Sequence, residues 1–463
     1  MKDLGDTIAA IATAPGSGGL AVLRVSGPRA LEIAGALFPG GDSLESAPDH
    51  SLRHGWAHFP GRSEQRLDEV VASVFHAPRS YTCEDVVEIS CHGGSLTAKR
   101  VLEALVAAGA REALPGEFTL RAFLNGRLDL AQAEAVADLI QAENEAAREL
   151  ALAQLAGSLS RKLAEVEERV LGAAAEVEAR VDFAEDVGGI EVPAHVHEAI
   201  QSASAELDRL LAGAPYARAI REGLHVPLIG RPNVGKSSLF NALLGEDRAI
   251  VTSVPGTTRD RVSESVEISR LRVRLSDTAG LREQSEPIER LGIERAREAL
   301  SESRIAIWVL DASAPLAQED LAVAAALAGR RVLVAFNKCD RELRIDREHV
   351  AALLNGQTWK SAQISAITGV GLDELRQALA ELAGAGTTRS LAGAVAAHPR
   401  HVASLERARA ALERAKAASS DGLSGEIVAL ELREALERIG EVSGRRASEE
   451  LLDRIFSRFC IGK

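Results

Sequence analysis

The sequence is poor in aromatic rings, with Phe, Tyr and Trp making up 3% of 463 residues. Recognition of single-stranded RNA by rows of stacking side chains is therefore not expected. Lysine is also scarce. Only eight of the 54 basic residues are lysines, and the initiator is the only methionine. Such a skew looks like coding bias towards arginine, so the few lysines are worth locating. The four cysteines, Cys83, Cys91, Cys339 and Cys460, fit no C-x-x-C zinc spacing and are too few for a disulfide scaffold. A reducing cytoplasm is the expected setting. No apolar run approaches the ~18 residues of a membrane span. Near the N-terminus, Asp3 and Asp6 precede an Ala/Ile stretch broken at Pro15-Gly16, unlike a secretory signal. A soluble cytoplasmic protein is expected. A basic surplus is lacking too, since 67 acids outnumber 54 bases for a net charge of −13. That excludes a whole-surface embrace of RNA or anionic membrane and leaves room for a local basic patch.

What is present is ample core material, with 46% hydrophobic residues in a chain too long for one core. The expected fold class is multidomain α/β plus α. Residues 1–120 read as mixed α/β, with strand-like bursts at Leu20–Leu23 and Val70–Phe75 and helical spacing at 28–37 and 96–105. From 121 to 221 the texture is rich in Ala, Leu, Glu and Arg. Val166, Val170, Val177 and Val181 fall at helical intervals there, predicting long amphipathic helices. Between 222 and 384, β-like runs at 226–229, 305–310 and 332–336 alternate with helical stretches, which predicts a mostly parallel sheet. Pro227 is awkward in a central strand, because it has no N–H to give the ladder. Helical texture returns over 385–463, so the α/β unit reads as an insertion into a helical domain.

Gly230-Arg-Pro-Asn-Val-Gly-Lys-Ser237 matches the phosphate-binding loop pattern directly after a predicted strand and before a helical run. Its glycines let backbone N–H groups turn towards phosphates, with the helix N-terminus behind them. Lys236 would bridge the β- and γ-phosphates, and Ser237 would ligate Mg²⁺. Asn233, Val234 and Gly235 complete the loop. Asp277, Thr278, Ala279 and Gly280 follow a second strand and would meet Mg²⁺ and the γ-phosphate. Thr257 and Thr258 can complete the Mg²⁺ shell. Asn337, Lys338 and Asp340 follow a third strand. A carboxylate at Asp340 accepts hydrogen bonds from guanine, whereas adenine presents an acceptor and is rejected. Ser365 and Ala366 suit the guanine oxygen. These motifs in order specify a GTPase. Leu281 stands where a Ras-like switch carries its water-orienting glutamine, and an apolar side chain cannot orient water. A monovalent cation could compensate the γ-phosphate charge instead. Asn233 would be one oxygen ligand, or else an ordinary turn residue.

These motifs, the loop Val254-Pro-Gly-Thr-Thr-Arg-Asp260, the strings Ser80–Glu88, His92–Gly94 and Pro115–Glu134, and the final Cys460-Ile-Gly-Lys463 closely resemble the MnmE (TrmE) family of tRNA modification GTPases, among the TrmE-Era-EngA-like GTPases, over essentially the full length. The resemblance implies a tetrahydrofolate-binding N-terminal domain, a two-segment helical domain and an inserted Ras-like P-loop GTPase domain. It implies a homodimer formed through the N-terminal domain. This works with the FAD-binding protein MnmG to install an aminomethyl or carboxymethylaminomethyl group at C5 of the wobble uridine of certain tRNAs. The carbon would come from 5,10-methylenetetrahydrofolate or 5-formyltetrahydrofolate. By the same resemblance, folate contacts fall on Arg24, Glu88, Arg127 and Lys463. K⁺ ligands fall on Asn233, Thr252, Val254 and Thr257, and Mg²⁺ ligands on Ser237 and Thr258. The water-orienting carboxylate falls on Glu289, which joins Lys236 as a catalytic residue. GTP contacts extend to Ser238, Thr252, Ser253, Val254, Pro255, Gly256 and Ile367.

Read without the family, Arg24 is a solvated strand-end arginine and Glu88 a solvated strand residue. Cys460 has two readings: a thiolate that adds to C6 of uridine, or a small packed cysteine near the active centre. A competing function is a GTP-dependent switch in ribosome or RNA assembly without direct chemistry. Against its nearest versions, the chain has one P-loop and no G-x-x-G clamp in a KH-like setting.

Overall fold

The computed structural model describes residues 5–39, 43–182, 192–246, 263–277, 300, 303–384, 398–421 and 423–463. They divide into two compact units, one of residues up to 137 together with 440–463, the other of 138–439.

The first unit is built on a six-stranded sheet in the order β3-β4-β5-β2-β1-β6. Its strands are β1 (Ile8–Ile11), β2 (Leu20–Ser26), β3 (Ser51–Phe59), β4 (Arg62–Phe75), β5 (Val86–His92) and β6 (Arg111–Glu112). All neighbours are antiparallel except β1 and β6. Alternation sets the faces. Leu23, Val25, Val87 and Ile89 are buried with Ile33 of α1 (Ala30–Gly35) and Val101 and Leu105 of α2 (Ser95–Ala107). The strand and helix expectations for residues 20–105 hold, with β4 longer than its apolar burst. Next come α3 (Glu117–Leu124) and α4 (Leu130–Gln141). Leu130 and Ala133 of α4 share a core with Phe456 and Phe459 from the C-terminal segment.

The second unit holds a helical part and a P-loop part. The long helices expected from the apolar spacing are α5 (Glu145–Leu155), α6 (Ser158–Asp182) and α7 (Ala194–Glu222). Val166, Val170 and Val177 are buried along α6. The P-loop part runs β7 (Leu224–Ile229), α8 (Lys236–Glu246), β8 (Ser263–Ile268), β9 (Leu271–Asp277), β10 (Ile305–Asp311), α9 (Gln318–Ala326), β11 (Arg331–Asn337), α10 (Arg347–Leu353), β12 (Trp359–Gln363) and α11 (Leu372–Leu382). The sheet order is β12-β11-β10-β7-β9-β8, parallel throughout except for β8. This is the Ras-like arrangement, and fully buried strands such as β10 explain the unbroken apolar runs. Pro227 does lie inside central β7. Its ladder to β9 covers 224–228, but pairing to β10 starts only at Leu228, so no N–H is missed on that side. The helical part resumes with α12 (Pro399–Ser420) and α13 (Gly425–Ser443), and α14 (Glu449–Phe456) closes the first unit. α12 packs along α7, where the Ser204 hydroxyl donates to Glu413 at 2.7 Å. No described helix is long and apolar enough to cross a membrane.

Candidate functional site

The carboxyl ends of β7, β10 and β11 converge on the loop 230–235, which is where ligands bind in open parallel sheets. Gly230 has φ of +157° and Gly235 of +99°. A Cβ on Gly230 would strike the Val309 carbonyl, and one on Gly235 the amide of Asn337. The loop therefore needs glycine at both places. Asn233 is also left-handed, with φ of 63°, and is exposed. Lys236 begins α8, is buried, and donates from Nζ to the Gly230 and Arg231 carbonyls, each at 2.8 Å. Ser237 and Ser238 are exposed in the same first turn.

Asn337 ends β11 and is only 2% exposed. Its Nδ2 donates to the Val234 carbonyl at 2.8 Å, and its Oδ1 accepts from the Ala366 amide at 3.0 Å. One buried amide thus fastens the phosphate loop to the loop that carries Ser365 and Ala366. Lys338, at φ of 65°, donates to the Asn233 carbonyl at 3.0 Å and to Asp311 Oδ2 at 2.6 Å. Asp311 Oδ1 accepts from the Ser313 hydroxyl at 2.6 Å and its amide at 3.0 Å. Burial alone would raise the Asp311 carboxyl, but the bonds from Lys338 and Ser313 outweigh it and hold it below the ordinary range. The exposed Asp340 carboxyl is lowered chiefly by the Ser365 hydroxyl. Ile367 is 78% exposed at the rim. The structure thus brings together Asn233, Val234, Gly235, Lys236, Asn337, Lys338, Asp340, Ser365 and Ala366. Asp277 ends β9, in register with Leu228 of β7. Thr252, Ser253, Val254, Pro255, Gly256, Thr257, Thr258, Thr278, Ala279, Gly280 and Glu289 lie outside the described residues.

In the first unit, Arg24 of β2 pairs with Glu88 of β5, its register partner. Nε and a terminal nitrogen reach Glu88 Oε1 at 2.9 and 2.7 Å, which leaves Oε2 outside the pair. The Arg24 and Arg127 guanidiniums lie 4.8 and 4.9 Å from the Tyr81 ring centre, and Arg127 also donates to the Tyr81 carbonyl at 2.7 Å. Tyr81, Glu88 and Arg127 line a cavity of about 490 Å³. Lys463 is not among its lining residues. Cys460 is exposed, and its carbonyl accepts from the Gly116 and Lys463 amides, each at 3.4 Å.

Sequence reasoning missed Asp311 and Tyr81. Asp311 is the first polar residue after the apolar run of β10, and carboxyl ends of parallel strands are where such residues meet ligands. Tyr81 is one of two tyrosines in a chain nearly without aromatics.

A Ras-like sheet, a glycine-shaped phosphate loop and an Asn-Lys-x-Asp turn fastened to it define a guanine-nucleotide P-loop hydrolase. The family model for the MnmE helical domain matches residues 130–460, and that for the GTP-binding protein TrmE N-terminus matches 7–127. The tRNA modification GTPase MnmE of Moorella thermoacetica is 44% identical, covering 99% of this chain and 100% of that protein. The protein of that name from Symbiobacterium thermophilum is 45% identical, covering 99% of each. Among solved structures, the G domain of the T. maritima FeoB iron transporter is 29% identical over 35% of this chain and 98% of that chain, with a TM-score of 0.27. This chain belongs to the MnmE family of tRNA modification GTPases.

Proposed function

We propose that this chain is a potassium-dependent GTP hydrolase acting on tRNA. With the FAD-binding MnmG it adds an aminomethyl or carboxymethylaminomethyl group at C5 of the wobble uridine, drawing the carbon from a tetrahydrofolate unit. It works in the cytoplasm as a homodimer, joined to MnmG in a heterotetramer. The observation that carries this reading is that one chain holds both a guanine-nucleotide site and a cavity lined by Tyr81, Glu88 and Arg127. A folate offers pterin N–H groups to a carboxylate oxygen, a flat pterin face to an aromatic ring, and a tail carboxylate to a guanidinium. The uncommitted Oε2 of Glu88, the Tyr81 ring and exposed Arg127 supply those partners. Arg24 positions Glu88, and Lys463 is assigned to the folate contacts by resemblance.

At the nucleotide site, Lys236 exchanges two backbone carbonyls for phosphate oxygens when GTP binds, a change from neutral to anionic acceptors. The donors fit hard cations. Ser237 and Thr258 would hold Mg²⁺, and the Asn233 amide with Thr252, Val254 and Thr257 would hold K⁺. Those ions would offset charge on the β- and γ-phosphates. Asn233 suits this role because its carbonyl is taken by Lys338, whereas its side chain is exposed. Glu289 would orient the attacking water through a bridging water, and Cys460 would add to uridine C6.

The test is analysis of the wobble nucleoside after tRNA is incubated with this protein, the flavin partner, folate, GTP and either KCl or NaCl. Modified uridine is expected in KCl, with much slower GTP turnover in NaCl. Equal turnover in both salts would sink the potassium assignment. GTP turnover without modification would favour the assembly switch.

A further inference from the structure

At the end of the P-loop sheet opposite the nucleotide site, where β7, β10, β11 and β12 begin, lies a cavity of about 730 Å³. The last turns of α7 form one wall. Four arginines line it, Arg218, Arg304, Arg330 and Arg331, against a single acid among its lining residues, Glu222. Arg218 spends its charge on Glu222 at 2.7 Å. The other three make no ion pair among the described residues. The Arg331 guanidinium donates to the Leu382 carbonyl at 2.7 Å, and Arg330 Nε is buried with no hydrogen-bond partner. The Arg331 amide donates to the Arg304 carbonyl at 3.1 Å, which fixes these two neighbours side by side.

Arg304 and Arg330 have no acid partner among the described residues, and the one lining acid, Glu222, is taken by Arg218, so the cavity holds a local positive surplus in a chain of net charge −13. Like charges lining one cavity oppose one another, and an anion entering it relieves that opposition. The planar guanidinium fork matches phosphate oxygens in particular. No Phe, Tyr or Trp is among the lining residues, the one imidazole, His225, is hydrogen-bonded to Ser276 at 3.1 Å, and the volume exceeds that of one phosphate. We propose that this cavity is a phosphate-binding site separate from the GTP site, and that it takes backbone phosphodiesters of the RNA substrate. The identity of the phosphate source rests on the tRNA reading above; the site itself does not. Positive charge concentrated here gives an acidic protein a local footing on a polyanion.

The test compares wild type with R304Q/R330Q and R304K/R330K. Arg331 is left in place because it anchors Leu382. Tripolyphosphate binding is measured by calorimetry on protein saturated with GDP, and tRNA retention is measured across a KCl series. R304Q/R330Q should bind tripolyphosphate and tRNA at least tenfold more weakly. Its slope of log affinity against log salt should be shallower by about 1.5 to 2, and basal GTP turnover should be unchanged. The lysine variant should recover most of the slope. Wild-type behaviour of R304Q/R330Q towards both probes overturns the site. Loss of tripolyphosphate binding with tRNA retention unchanged overturns RNA as its source. If wild type retains no tRNA yet binds tripolyphosphate through these arginines, the tRNA reading fails while the phosphate site stands.

Discussion

Replacing Asp311 by alanine removes the carboxylate that holds Lys338 over the nucleotide site while leaving the Asn-Lys-x-Asp turn itself intact. The bond lost is charge-assisted and 2.6 Å long. Hydrogen bonds to charged groups contribute about 1.5–3 kcal/mol. The two side chains are 22% and 13% exposed, so solvent screening places this one at the lower end, about 1.5 kcal/mol. Lys338 then keeps only the Asn233 carbonyl as anchor. GDP should bind roughly tenfold more weakly, since ~1.4 kcal/mol is a factor of ten. Asp311→Asn retains an acceptor oxygen and should lose less. At saturating GTP the turnover rate should stay near wild type, because the phosphate loop and Lys236 are untouched. The Asp311 carboxyl titrates below its ordinary value of 3.8, so the pair is complete at higher pH and is lost only as pH falls through the lowered value. The wild-type advantage should therefore be constant from pH 6 to 8, measured by titration with a fluorescent GDP analogue. Equal GDP affinity in wild type and Asp311→Ala, with Lys338→Ala weakened, would refute the positioning role.

Arg121 is 1% exposed and reaches Asp6 at 2.6 Å, Glu84 at 3.2 Å and Glu117 at 3.3 Å. Arg121→Met should leave Glu84 without an arginine and Asp6 and Glu117 with Arg111 alone, cost about 3 kcal/mol and lower the melting of the first unit by roughly 10 °C in calorimetry; a shift under 2 °C would contradict it. Burial pushes Asp6 and Glu117 up, but hydrogen bonds from their arginine partners prevail and both end lowered from 3.8 and 4.5. The unfolded chain therefore takes up these protons first. The stabilisation is complete above those values and disappears as pH falls through the lowered ones, which acid titration of first-unit melting would follow. Tyr81→Ala should weaken binding of a reduced-folate analogue about three- to tenfold by removing the ring that two guanidiniums approach, whereas Tyr81→Phe should bind nearly as wild type. Equal loss in both variants would point to the Thr119 contact of the hydroxyl instead.

The strands and helices of the P-loop part were legible because local chemistry and tertiary role coincide there. Buried parallel strands must be apolar end to end, as Ile305–Leu310 is, and the turns after them carry fixed motifs. Arg24 was not legible by position alone. A strand-end arginine is ordinarily solvated, and only the antiparallel register opposite Glu88 makes the two a pair. Arg304 and Arg330 of the cavity were invisible for the same reason, since they lie at separate strand starts with nothing in their flanks to link them. In contrast, two of the eight lysines, Lys236 and Lys338, stood out by motif and do meet on one loop.

By itself the sequence determined the chemistry of the nucleotide site and the order of helical and α/β segments, because glycine conformation, apolar period and motif spacing are properties of short stretches of chain. Only the tertiary structure decided which distant groups face one another. It seated Asn337 between two loops, gave Lys338 its carboxylate from the end of β10, and placed Phe456 and Phe459 against Leu130. The physical reason is that pairing across a sheet and burial in a core join residues by register and packing, which no local stretch of sequence records.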